Sequence, residues 1–117
     1  MTIKLGDIGR DIYVATSFDL SANTELEIKF TLGTNTFTKN TSDGVTAPAV
    51  PSPTLPFTDN FPGGILAADT YMLYTTIAGD FATGGAGDWT VCCAYTDATP
   101  KYFQGDDGIL TIDDECI

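Results

Sequence analysis

Histidine is missing from this chain, and only 5 of its 117 residues are Lys or Arg. Without histidine there is no imidazole to act as a general base, to activate a serine or to complete the usual zinc site. Cysteine is scarce and odd in number: Cys92, Cys93 and Cys116. Their spacing is neither a disulfide framework nor a zinc pattern. No apolar run approaches the ~20 residues that a membrane-spanning helix needs. Residues 1–7 have neither the basic head nor the apolar stretch of a secretory leader, so none is expected. The 5 bases face 16 acids, for a formal charge of −11. Phosphates are repelled by such a charge, which argues against nucleic acid and anionic membrane as partners. Solubility is the plain reading of the acidity. A divalent ion or a basic partner is the sharper one.

What the chain does have is alternation. In residues 87–96, Trp89, Val91, Cys93 and Tyr95 share one parity, while Asp88, Thr90, Cys92, Ala94 and Thr96 share the other. A period of two with one large apolar face predicts a strand, and the only tryptophan makes it the expected centre of the core. Leu26, Ile28, Phe30 and Leu32 alternate with Glu25, Glu27, Lys29 and Thr31, the pattern of a strand with one buried and one wet face. Gly33-Thr34-Asn35 closes that strand, and residues 36–39 read as the returning arm of a hairpin. Further strands are expected at 1–5, 11–20, 70–77, 102–103 and 109–112. Trp89, Val91, Leu26, Ile28 and Phe30 are expected to be buried together.

Residues 43–64 differ. They hold Pro48, Pro51, Pro53, Pro56 and Pro62, five of the six prolines. Proline removes backbone donors and fixes φ, so this is neither a central strand nor a helix but an extended arm. Its apolar residues need something to pack on. One reading lays it against a neighbouring subunit through Leu55, Phe57 and Phe61, since apolar and aromatic side chains carry most contact energy at interfaces. The other folds it back across its own domain. Altogether the fold class expected is all-β: an antiparallel, Ig-like β-sandwich of about seven strands, one domain over 1–117, with 43–64 as a long proline-rich arm.

No chemistry stands out. The Gly84–Gly87 run precedes a strand and has no Lys-Ser/Thr, so it is not a phosphate loop. The acidic end of the chain fails the EF-hand rule, because Phe103 and Gly105 fall where the first ligands belong. A looser calcium site from Asp106, Asp107, Asp113 or Asp114 is the remaining metal option. No catalytic, cofactor or metal residue is assigned, and no enzyme is expected. Cys93, on the Trp89 face, is expected to be buried. Cys92 and Cys116 are the better pair for a bridge, within or between subunits, with all three thiols reduced as the default.

Two segments carry a resemblance. One is Ile3-Lys-Leu-Gly-Asp-Ile-Gly-Arg-Asp-Ile, followed by Phe18-Asp-Leu-Ser-Ala-Asn-Thr-Glu-Leu-Glu-Ile. The other is Ile77-Ala-Gly-Asp-Phe, followed by Gly87-Asp-Trp-Thr-Val. Together they resemble small Ig-like virion proteins of tailed bacteriophages, including the N-terminal domain of phage baseplate upper proteins. The proline-rich insertion and the segment from Asp106 onward depart from that pattern. The resemblance implies a structural virion protein of the neck, tail, baseplate or capsid surface. Such a protein acts by adhesion to other virion proteins in a symmetric assembly of repeated copies. It supplies no catalytic residues and no cofactor. The other expectation is a module that binds carbohydrate or a receptor, with Tyr71, Tyr74, Trp89 or Tyr102 as stacking surfaces, although core packing is the favoured reading of those aromatics.

Overall fold

The structure, a computed structural model, describes residues 2–16, 18–56, 63–99, 102–104 and 108–113. Eight strands are found among them: β1 (Thr2–Lys4), β2 (Asp11–Ala15), β3 (Asn23–Leu32), β4 (Asn35–Asn40), β5 (Tyr71–Thr75), β6 (Gly87–Asp97), β7 (Tyr102–Gln104) and β8 (Gly108–Asp113). The only helix among these residues is a single 3-10 turn at Thr41–Asp43. The chain is therefore all-β, as its alternation requires.

The larger sheet runs β1-β8-β6-β3-β4, and β7 also pairs with β6. β6 is the hub. One edge pairs with β3, with Phe30 opposite Val91 and Ile28 opposite Cys93. The other edge is shared, β8 taking Gly87 to Val91 and β7 taking Ala94 to Thr96. β3 and β4 form the expected hairpin, closing Leu32 onto Asn35 across a two-residue loop. Gly33 has φ 61° there, at the loop position that a type II′ turn reserves for glycine. A second sheet holds only β2 and β5.

Pairing is antiparallel except at one edge, where β1 runs parallel to β8 and the larger sheet becomes mixed. An all-antiparallel arrangement follows from hairpins, and no hairpin joins these two strands. The strand expected over 11–20 is also shorter. It ends at Ala15 because the Thr16 hydroxyl bonds Thr70 O and accepts from Phe18 N, and Asp19 then accepts from Ser21 N in a local turn.

Side chains of both sheets make one core. Ile12, Met72 and Tyr74 come from the smaller sheet, and Leu26, Ile28, Phe30, Trp89, Val91, Cys93, Leu110 and Ile112 from the larger. The five residues expected to cluster around Trp89 do so. Four rings lock the middle. Phe81 meets Phe30, Phe37 and Trp89 with centroids 5.3, 5.0 and 5.2 Å away, all edge-on. Edge-to-face contacts of this kind suit the aromatic quadrupole. Phe81 takes φ 62°, a conformation that costs a non-glycine residue about 1 kcal/mol or more. Burial of its ring offsets that cost. Trp89 donates from Nε1 to Gly85 O at 3.0 Å, so the buried indole leaves no polar atom unmet. Gly84 lies flat against the same ring: a Cβ there would stand 3.0 Å from it.

Candidate functional site

The proline-rich stretch is built as two legs. The capping box of Asn40 and Asp43 opens the 3-10 turn, and Gly44, at φ 96°, ends it. Val45 is buried, and Thr46 exchanges two backbone hydrogen bonds with Leu73 of β5, at 3.0 and 2.8 Å. The outgoing leg then runs beside the returning one. Asp69 N donates to Pro48 O, Ser52 N to Leu66 O, and Leu55 and Gly64 exchange a reciprocal pair. Two side chains complete the brace. The Tyr71 hydroxyl donates to Val50 O at 3.1 Å. Buried Ser52 Oγ accepts from Leu66 N and donates to Pro53 O, both at 2.8 Å. The legs are thus bonded to one another, and through Thr46 and Val50 to β5. Their outer surface nevertheless carries Val50 and Ile65, exposed by 62% and 63%.

A second arrangement centres on Asp80. Asp80 Oδ2 accepts from the Tyr74 hydroxyl at 2.6 Å and from Ile77 N at 3.0 Å, and Oδ1 meets Lys39 Nζ at 3.0 Å. Only 15% of the Lys39 side chain and 6% of that of Asp80 are exposed. The ammonium also lies over the Tyr74 and Phe37 rings, 5.5 and 5.9 Å from their centroids. Burial, reinforced by the Asp80 carboxylate, pushes the Tyr74 phenol well above its ordinary range. Each group here is committed to another, so the cluster pins the turn before Phe81 rather than offering a reactive atom. Sequence reading took Asp80 only as a turn residue. The signal that would have found it is that Lys39 shares the parity of Phe37 on β4, where an apolar residue is expected.

The residues singled out from sequence are dispersed. Leu55 is half-buried at the narrow end of the legs, beside Gly64. Phe57, Phe61, Cys116, Asp106, Asp107 and Asp114, and the side chain of Tyr102, lie outside the described residues. Cys93 is buried with the Trp89 face and Cys92 is half-buried on the other. Asp113 pairs with Lys4 at 3.4 Å. Among the described residues, no three His, Cys, Asp or Glu side chains gather as a metal set. Tyr71, Tyr74 and Trp89 are at most 2% exposed, which withdraws them as stacking surfaces. Half-buried rings do exist where none was expected: Phe18, Tyr95 and Phe103, with Tyr95 and Phe103 stacked at 4.9 Å. Compared with family models, curated proteins and solved structures, the chain finds no match.

Proposed function

We propose that this chain is a non-catalytic structural protein of a tailed-bacteriophage virion, placed in the neck, tail, baseplate or capsid surface, and that it works by adhesion to neighbouring virion proteins. The observation that carries the adhesive reading is the braced pair of legs. A loop of this length loses much entropy on ordering, and here prolines and a chain of hydrogen bonds fix it in advance. What it presents outward is apolar: Val50 and Ile65. Preorganised apolar protrusions bind with little further ordering cost.

The same proposal takes the two sheets as the faces of an Ig-like sandwich, supported by their common core. The resembling segments hold turns and a strand start. Gly6 and Gly9 turn the chain with φ 89° and 77°, and Gly87-Asp88-Trp89 opens the hub strand. Image reconstruction of virions that carry the chain tests the proposal. Density at fixed symmetry positions, with the legs against a neighbour, is the expected result. A purified particle that lacks the chain would sink it.

The second reading, a carbohydrate- or receptor-binding module, draws on Phe18, Tyr95 and Phe103. Glycan-array binding that is lost in Phe103→Ala would favour it, and no binding to any glycan removes it.

A further inference from the structure

Resting on the adhesive reading, we infer that the surface made by the two legs is the contact between two copies of this chain, paired about a two-fold axis. Charge is what points there. The chain carries 16 acids and 5 bases, yet residues 44–56 and 63–68 contain no Asp, Glu, Lys or Arg, and only Asp59 lies between them. Three of the five bases are engaged within the chain: Lys4 pairs with Asp113, Arg10 with Asp7 and Lys39 with Asp80. Two copies at −11 each repel one another. Along the legs that repulsion has no local source, and charge depletion of this kind marks the core of an interface. A basic partner would gain nothing by choosing this surface, since the acids that attract it lie elsewhere.

The chemistry of the legs also settles the kind of contact. Pro48, Pro51, Pro53 and Pro56 have no N–H to donate. Thr46, Ser52 and Leu55 have spent theirs on their own chain. Strand addition along this leg is therefore blocked, because it needs a continuous row of donors. The contact is made by side chains, with Val50 and Ile65 of one copy meeting those of the other. A two-fold arrangement lets one patch serve both sides.

Sedimentation equilibrium of the full chain tests this. Association should strengthen by about tenfold or more between about 0.01 M and 0.5 M NaCl, as screening shortens from ~30 Å to a few ångströms. Val50→Asp and Ile65→Asp should each abolish the dimer and leave the thermal melt unchanged, because both side chains are exposed. Ile8→Asp, equally exposed but outside the legs, should leave the dimer intact. A monomer at every salt concentration would overturn the inference. So would a dimer that weakens with salt, one that survives both leg variants, or one that Ile8→Asp also dissolves. The two readings fail separately: a salt-independent monomer found in purified virions keeps the adhesive role and loses self-pairing. A dimer absent from virions does the reverse.

Discussion

Trp89 and Ser52 are both buried, and they are held by different physics. Trp89 sits at 0% exposure among Phe37, Phe81 and Gly84, and its stabilisation comes from apolar area and ring contacts. Ser52 sits at 5% exposure in a stretch with little apolar mass, and it is held by three hydrogen bonds of its amide and hydroxyl. The difference teaches how one small domain keeps a rigid interior and a rigid projection at once. Burial of area cannot stiffen a thin two-legged loop. Prolines and satisfied polar groups can.

The comparison breaks hardest at the tryptophan. Trp89→Ala should cost about 3–5 kcal/mol, as for other large core truncations. Chemical denaturation should show one cooperative transition moved to much lower denaturant, and a midpoint near the wild-type value would contradict the core described here. Asp80→Asn comes next. It strands the Lys39 ammonium in a mostly buried place and weakens two hydrogen bonds, so a loss of about 2–3 kcal/mol is expected. Lys39→Met in that background should recover part of it, and failure to do so would show that the ion pair is not the source of the loss.

Ser52→Ala is a smaller and more local change. Leaving the Leu66 amide without its Oγ acceptor should cost about 1–2 kcal/mol. Hydrogen exchange should place the effect in the legs, with the β3 and β6 amides unmoved. Equal acceleration in both regions would mean that the legs are not an independent unit.

The smallest effect is a slope with pH. The Tyr74 phenol is raised above its unfolded value, mainly by burial and then by Asp80. Its stabilising contribution is complete below the unfolded pKa of about 10 and is lost as pH climbs from there toward the folded value. Tyr13 is raised also, by partial burial and by Asp11, and adds to the same trend. Tyr74→Phe should therefore flatten the fall in stability above about pH 10, and an unchanged slope would assign that fall to Tyr13 or to general charge repulsion.

Much of this fold was legible because strands with one wet face write themselves as alternation. Leu26, Ile28 and Phe30 are buried and Glu25 and Lys29 exposed, as their parity required. Gly33 announced its turn through the one residue type that tolerates its φ. Other features leave no local trace. The β1–β8 pairing joins Ile3 to Ile112, and nothing near either residue specifies the other. Thr16 looked like a strand residue until its hydroxyl was seen to compete for backbone partners. Prolines marked residues 43–64 as extended and irregular. They gave no hint that Tyr71 and Ser52 would brace them, because single polar side chains of that kind are common everywhere. The Lys39–Asp80 pair was missed because only the fold brings the lysine of β4 and the aspartate of a distant turn to 3.0 Å.

The parallel edge between β1 and β8 has a consequence for the moment of synthesis. Thr2 pairs with Thr111, so β1 leaves the ribosome long before the strand it pairs with. At translation speeds of ~5–20 residues per second that wait is roughly 5–20 s. During it, β3, β4 and β6 can assemble, while Ile3 has no lasting place and β6 shows an open edge where β8 will lie. That edge of the sheet is thus closed late, by β1 and β8 together. Nascent copies made side by side on one message would present one another with open edges during that interval, and a chaperone that shields strand edges would find its substrate there.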